Sequence, residues 1–217
     1  MHDDEQIIRA AWRSVVAHGT ATKHRARDDL LEAVLARHRE PHRRYHTVTH
    51  VAWVVRHVDE LAVAERIAGT AVLHLAAIYH DAVYNPRASD NEAVSAALAR
   101  TVGNEVGWET ADLDHVERLI LATAGHAIIG GDRAAAVLLD ADLAILGAEP
   151  SAYLAYVAGV RFEYAHVDDD GWRTGRAAVL QHFLDREHIY LTPAMRSARE
   201  HRARANLSAE LAGLRDG

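Results

Sequence analysis

Apolar residues recur along this chain at a spacing of roughly three to four positions, and strict alternation of apolar and polar residues is almost absent. This spacing is typical of amphipathic α-helices, in which one face of each helix is buried. The pattern therefore predicts an all-α protein. Helices are predicted near residues 3–18, 23–39, 47–66, 69–84, 89–102, 110–125, 133–147, 151–166, 171–187 and 193–213.

Two of the predicted helix starts carry residues that favour them. Thr192 followed by Pro193 is typical of a helix start, because threonine accepts a hydrogen bond from a free amide and proline fits the first turn. Ser89 and Glu92 have the spacing of a capping box, in which each side chain satisfies a backbone amide of the other residue. No internal repeat or interdomain linker interrupts the series, so residues 1–217 are predicted to form one domain.

Composition limits the classes of protein to which the chain can belong. Of its 217 residues, 49% are hydrophobic but only 6% are aromatic, so small aliphatic side chains are expected to fill one core. The formal net charge of −7 argues against a general nucleic-acid binder, whose affinity depends on neutralising phosphates. Cysteine is absent, which excludes disulfides, thiolate metal sites and a cysteine nucleophile.

The beginning of the chain and the length of its apolar runs bear on its location. Residues 1–12, "MHDDEQIIRAAW", are acidic and lack the apolar core of a signal peptide. No apolar run approaches the length that spans a membrane. From these features we expect a cytoplasmic protein without a membrane partner.

One apolar stretch contains two polar residues where a buried helix is predicted. The segment "LAAIYHDAVYNP", residues 75–86, places His80 and Asp81 side by side between apolar residues. Burying an imidazole or a carboxylate is costly unless the group is paired, hydrogen-bonded or bound to a metal ion. The doublet therefore raises the question of which partner it has.

Three further polar residues fall on or beside apolar helix faces. Asp142 lies within the apolar arc of its predicted helix, whereas Asp140 projects roughly opposite. His50 lies at the margin of another apolar stripe, and His126 continues a third one by one turn. Each has a structural alternative: a distant arginine could pair with Asp142, His50 could be a satisfied core residue, and His126 could interact with a helix dipole.

Taken together, His50, His80, Asp81 and Asp142 provide two imidazoles and two carboxylates. Such a mixed nitrogen and oxygen set suits a divalent metal ion, and Mn, Fe, Co, Mg, Zn and Ni all remain candidates. The charge of the ion would offset the desolvation of the carboxylates. A bound ion would also lower the pKa of a coordinated water and so provide a nucleophile for hydrolysis.

The order of these residues resembles the signature of the HD superfamily of metal-dependent phosphohydrolases. In that family a histidine on one helix precedes a His-Asp pair on a later helix and a final aspartate. Over about residues 43–167 the chain resembles an uncharacterised bacterial branch of predicted HD-type phosphohydrolases. The segments that carry this resemblance are "RRYHTVTHV", "YHDAVYNPRASDNEAVSA", "LATAGH", "LLDADLAILG" and "VRFEYAHV".

The resemblance implies an HD-type multi-helix bundle with a central metal site. It assigns metal ligation to His50, His80, Asp81 and Asp142. It also implies catalytic roles for Glu92, as a general acid/base or a water-orienting group, and for His126, near a second ion or the leaving phosphate. The implied substrate-binding candidates are Arg44, Tyr45, Tyr84, Asn91, Arg161 and Tyr164.

Alternatives remain open for several of these roles. Glu92 could serve only in the capping box, and Arg161 could form a structural ion pair instead of gripping a phosphate with two hydrogen bonds. Between the doublet and Asp142 the only histidines are His115 and His126, so a full dinuclear set of ligands is not evident.

The expected function is hydrolysis of a small phosphate ester, with a nucleotide as the favoured example, by water activated at the metal ion. Two other functions are kept open. One is a di-iron oxygenase on the same scaffold, and the other is a non-catalytic metal-binding helical protein. The expected partner is a small-molecule phosphate ester, and assembly into a homodimer is an open alternative.

Overall fold

The computed structural model describes residues 2–20, 27–126 and 131–216. Within these ranges all regular structure is helical, which confirms the prediction of an all-α protein. A 3₁₀ helix at Leu143–Gly147 follows the seventh α-helix directly. The α-helices are α1 (His2–His18), α2 (Asp28–Arg37), α3 (Val48–Ala64), α4 (Ala71–Tyr79), α5 (Asn91–Glu105), α6 (Thr110–Thr123), α7 (Arg133–Asp142), α8 (Pro150–Glu163), α9 (Asp169–Leu184) and α10 (Pro193–Asp216).

Helices α3 and α4 form the centre of the packing. Helix α3 contacts α1, α4 and α7, and α4 also contacts α5 and α6. Every residue of α4 from Leu73 to Tyr79 is buried, as expected for a helix that is apolar on all sides. The buried apolar side chains form one cluster to which every α-helix contributes. The predicted start of the second helix, residues 23–26, lies outside the described ranges.

Helix α4 ends earlier than the predicted range of 69–84. Its last regular residue is Tyr79, and the amide of Ala82 bonds to the Tyr79 carbonyl at 3.0 Å in a tighter turn. The carbonyls of Asp81 and Ala82 accept hydrogen bonds from the Arg43 guanidinium at 2.7 and 3.1 Å. A tertiary contact thus replaces the helical bonds, and the His-Asp doublet lies at the end of the helix and not inside it.

The predicted capping box at Ser89 and Glu92 is not formed. Helix α5 begins at Asn91, and the side chain of its N-cap residue, Asp90, makes no capping hydrogen bond. The Asn91 side chain instead closes the preceding loop, because its Oδ1 accepts from the Asn85 amide at 3.0 Å and its Nδ2 donates to the Asn85 carbonyl at 2.9 Å. Glu92 therefore lies in the first turn of α5 without a capping role.

The predicted start of α10 is confirmed, but the prediction for Asp140 is wrong. Helix α10 begins at Pro193, and the Thr192 hydroxyl accepts from the Met195 amide at 3.2 Å. Asp140 is fully buried and accepts hydrogen bonds from the Leu191 amide and from the amide and hydroxyl of Thr192, each at 2.7 Å. Burial raises the pKa of Asp140 to about 6. The segment before α10 covers this second face of α7, which local periodicity does not reveal.

No single helix in the described part of the chain is long and apolar enough to span a membrane. The consecutive segments Arg133–Gly147 and Pro150–Glu163 meet the length and composition criterion only when taken together, and they are bent by 104°.

Gly147 lets α10 approach the 3₁₀ helix, and replacing it should destabilise the fold. A Cβ atom at this position would lie 2.6 Å from the Arg199 Cβ and 2.9 Å from the Arg199 carbonyl oxygen. We expect Gly147→Ala to lower the free energy of unfolding by about 1–3 kcal/mol, as overpacking does, measured by urea denaturation.

Gly175 provides the matched control, because no described atom lies within 4 Å of a Cβ built there and the residue is exposed on α9. Gly175→Ala should raise the free energy of unfolding by about 0.5–1 kcal/mol through its higher helix propensity. An unchanged or raised free energy of unfolding in Gly147→Ala would contradict the close approach at Gly147.

Candidate metal centre

Three predicted ligands meet where α3, α4 and α7 pack together. His50 lies in the first turn of α3, His80 follows α4 directly, and Asp142 ends α7. The Nε2 atoms of His50 and His80 lie 3.1 Å apart, and Asp142 Oδ1 lies 3.3 and 3.6 Å from them. The ligand atoms of these three residues all lie within 4.8 Å of one another, so the group could hold a metal ion.

Asp81 lies at the edge of this group. Its Oδ2 atom is 3.1 Å from His80 Nε2 and 3.4 Å from His50 Nε2. The mutually close set of His50, His80 and Asp142 does not include Asp81. The structure therefore brings all four predicted ligands together, with three at the centre and Asp81 beside the two imidazoles.

The spacing of these atoms fits a shared ion. Two atoms that each bond one ion at about 2.1 Å lie about 3.0 Å apart at a right angle and about 3.4 Å apart at a tetrahedral angle. His80 Nδ1 lies 2.9 Å from the Ala77 carbonyl oxygen and donates its proton there, which leaves a lone pair on Nε2. Nε2 faces the carboxylate oxygens of Asp81 and Asp142, so it can coordinate an ion together with them when it is unprotonated.

The electrostatics of the group also favour a cation. Burial lowers the pKa of His50 and His80, but the contacts with Asp142 and Asp81 outweigh burial and raise both pKa values. Burial likewise raises the pKa of Asp81 and Asp142, yet their histidine partners hold both pKa values well below the usual range. The two carboxylates are therefore ionised and stabilise positive charge at this point.

His126 contacts the group from another side. Its Nε2 lies 2.9 Å from Asp142 Oδ2, so the two oxygens of Asp142 face different imidazoles. The backbone of His126 is left-handed, with φ of 47°, a conformation that is uncommon outside glycine. Arg186 donates to the carbonyls of His126 and Gly125 at 3.0 and 3.2 Å and so helps to hold this turn. His115, in contrast, pairs with Asp132 at 2.9 Å and does not reach the group.

A cavity of about 440 Å³ opens beside the ligands, and Asp81 and Asp142 form part of its wall. His46 and Tyr156 also line it, although the sequence did not single them out. Six of the residues predicted to act on or bind substrate line the same cavity: Tyr45, Tyr84, Asn91, Glu92, His126 and Tyr164.

The two predicted phosphate-binding arginines are not among the residues that line the cavity. Arg44 is exposed, and its guanidinium lies 4.8 Å from the centre of the Phe162 ring. Arg161 donates to the Tyr164 carbonyl at 3.0 Å and pairs with Asp169 at 2.7 Å. Both guanidinium groups therefore have structural partners, and no arginine or lysine of the described ranges lines this cavity.

Glu163 is a buried carboxylate that the sequence analysis missed. Its Oε1 accepts from the amides of Arg44, Tyr45 and His46 at 2.7, 2.7 and 3.1 Å. Its Oε2 accepts from His46 Nδ1 at 2.7 Å and from the Tyr84 hydroxyl at 3.1 Å. Burial raises the pKa of this carboxylate, but its hydrogen bonds, led by that from His46, lower the pKa to about 2.

Arg43 is the second positioning residue that was missed. Its buried guanidinium donates to the His46 carbonyl at 3.2 Å as well as to the carbonyls of Asp81 and Ala82. It therefore ties the loop before α3 to the turn that carries the doublet. Nothing in the sequence distinguishes Arg43 from Arg44 beside it.

No family model, no curated protein and no solved structure matches this chain. The interpretation of the site therefore rests on the geometry of its own residues.

His38 lies behind this site and should make the stability of the chain depend on pH. It is 1% exposed, its Nε2 has no hydrogen-bond partner, and burial together with the neighbouring Arg43 lowers its pKa from 6.5 to about 3. As the pH falls below 6.5 the unfolded chain takes up a proton that the folded chain does not, so stability is lost.

We expect the free energy of unfolding to fall by up to about 1.4 kcal/mol per pH unit between pH 6.5 and about 4.5 through this residue. His38→Leu should reduce that slope, as measured by urea denaturation in the presence of a chelator. Equal slopes for the variant and the natural chain would show that folded His38 is not held neutral.

Proposed function

We propose that this chain is an HD-type metal-dependent phosphohydrolase that acts on a small phosphate ester. The observation that carries the proposal is the convergence of His50, His80 and Asp142, with Asp81 beside them, next to a cavity whose wall includes the two aspartates. These residues occur in the order of the HD signature, and their spacing fits one shared divalent ion. An ion held there would polarise a phosphoryl oxygen and lower the pKa of a bound water towards neutrality.

The chain's own residues would bind and orient the substrate around this point. Glu92 lines the cavity from the first turn of α5, where its carboxylate can accept a proton or a hydrogen bond. His126 lines the cavity next to Asp142 and can donate to a phosphate oxygen or a leaving group. Both roles depend on the cavity being the place where the ester binds.

The lining of the cavity favours a substrate with one phosphate group and a planar, largely uncharged remainder. Four tyrosines line it, namely Tyr45, Tyr84, Tyr156 and Tyr164, which provide aromatic faces and hydroxyl groups. Since no described arginine or lysine lines it, additional phosphates would have no cationic partner. A volume of about 440 Å³ is in the range of small-molecule sites. A nucleoside monophosphate meets these requirements.

The two aspartates of α7 provide a matched test of metal binding. Asp142→Asn should weaken metal binding by more than the roughly 10–100-fold that is typical of changes around a ligand, measured by elemental analysis after dialysis. Asp140→Asn should keep the metal but lower the free energy of unfolding by about 1–3 kcal/mol, because the new amide group faces backbone donors. Equal metal content in the two variants would contradict the site.

The proposed reaction is tested by phosphate release from a panel of nucleotides and small esters with added manganese, cobalt or magnesium. We expect hydrolysis of monophosphates, with kcat/KM at least about 10-fold above that for triphosphates, since an unpaired charge costs 1.4 kcal/mol or more. Asp142→Asn should abolish release. Oxygen consumption without phosphate release would favour the oxygenase, and bound metal without turnover would favour a non-catalytic protein.

A further inference from the structure

His46 is held rigidly in the wall of the cavity. Its side chain is 18% exposed, and its ring stacks on Tyr84 with the ring centres 4.1 Å apart. The Tyr45 ring contacts it edge-on, with the centres 4.9 Å apart. One ring nitrogen, Nδ1, faces Glu163, and the other, Nε2, lies 3.8 Å from Asp81 Oδ2. Each nitrogen of this imidazole thus has a defined direction.

Glu163 determines which of the two nitrogens carries the proton. An ionised carboxylate can only accept hydrogen bonds. Because Oε1 already accepts three backbone amides, Oε2 is the atom that faces His46, at 2.7 Å from Nδ1. The proton of a neutral His46 ring must therefore be on Nδ1, which leaves a lone pair on Nε2.

We propose that Glu163 is a positioning residue that turns the Nε2 lone pair of His46 into the cavity, where it accepts a hydrogen bond from a water or a substrate hydroxyl beside Asp81. This inference rests on the proposed function, since the water is the one that attacks the ester. An acceptor fixed in direction orients the oxygen lone pair of that water towards phosphorus. A ring with the proton on Nε2 would present an N–H donor to the cavity. The water would then direct a lone pair at His46 instead of at phosphorus.

A purely structural role for Glu163 is the competing explanation, because its Oε1 also fixes the loop before α3. Glu163→Gln separates the two. The amide oxygen can still accept the amides of Arg44, Tyr45 and His46, so that the loop is kept. The amide nitrogen then replaces Oε2 and donates to His46 Nδ1, which forces the ring proton onto Nε2. The Tyr84 hydroxyl, which donates to Oε2 in the natural chain, then accepts from the amide nitrogen, so the variant reverses the tautomer while the same groups stay in contact.

The decisive measurement is the ¹⁵N spectrum of the histidine side chains, with His46 assigned by substitution, in the metal-free and the zinc-loaded protein. In the natural chain we expect a protonated Nδ1 and an unprotonated Nε2 for His46. In Glu163→Gln the proton should instead be on Nε2, so that Nδ1 becomes the unprotonated nitrogen. Metal content should stay unchanged, and kcat for phosphate release should fall by about 100-fold or more with KM within about 3-fold.

Two further variants complete the test. Glu200→Gln is the matched control, because the Glu200 carboxylate accepts the amides of Ile189 and Tyr190 but has no part in the cavity. It should leave the His46 signals and kcat unchanged. His46→Asn retains a donor near Nδ1 and removes the acceptor at Nε2, so it should lower kcat as Glu163→Gln does, even if the latter folds poorly.

Three results would overturn the inference. The first is a protonated Nε2 of His46 in the natural chain. The second is a Glu163→Gln spectrum in which His46 keeps its proton on Nδ1. The third is a Glu163→Gln variant in which the tautomer is reversed but kcat is unchanged. The nitrogen signals decide the tautomer whether or not any ester is hydrolysed. Failure of this inference and failure of the proposed function are therefore distinguishable.

Discussion

The architecture around the site depends on the balance of buried charge between two imidazoles and two carboxylates. His50 and Asp142 belong to α3 and α7, whereas His80 and Asp81 directly follow α4, so the four groups meet only through tertiary packing. Each group is tolerated in the core only because the others are close, since an isolated buried charge is strongly unfavourable. The mutual attraction that ionises the carboxylates also makes the point between the four side chains a place for a cation.

Around this centre, a second set of contacts fixes the loop before α3, which forms part of the cavity wall. Arg43 binds the carbonyls of the turn that carries the doublet, and Glu163 binds three successive amides of residues 44–46. The loop before α3 is thereby attached both to the end of α4 and to the end of α8. Because backbone groups supply most of these bonds, the positions of His46 and Tyr45 follow from the loop geometry and do not depend on flexible side-chain pairs.

Charge is distributed unevenly between this centre and its cavity. The ligands concentrate ionised carboxylates and imidazoles at one end, whereas tyrosines line much of the remainder. Arg44 and Arg161, which would have extended the positive charge, instead lie over aromatic rings, and Arg161 also pairs with Asp169. This contrast between a charged end and an aromatic remainder is the basis on which we propose a small phosphate ester and not a polyphosphate.

Helical periodicity alone determined the all-α class, most helix positions and the inward direction of Asp142, because side chains one turn apart share a face whatever the tertiary structure. It could not identify Glu163, whose partners lie 117 to 119 residues away along the chain.

Helical periodicity also placed Asp140 on an outward face of α7. The segment before α10 covers that face, so Asp140 is buried. Only the packing of distant segments decided which polar residues meet at the candidate metal centre and which ones fix loops or helix ends. Hydrogen bonds between such segments produce no periodic pattern in the sequence, so periodicity cannot predict them.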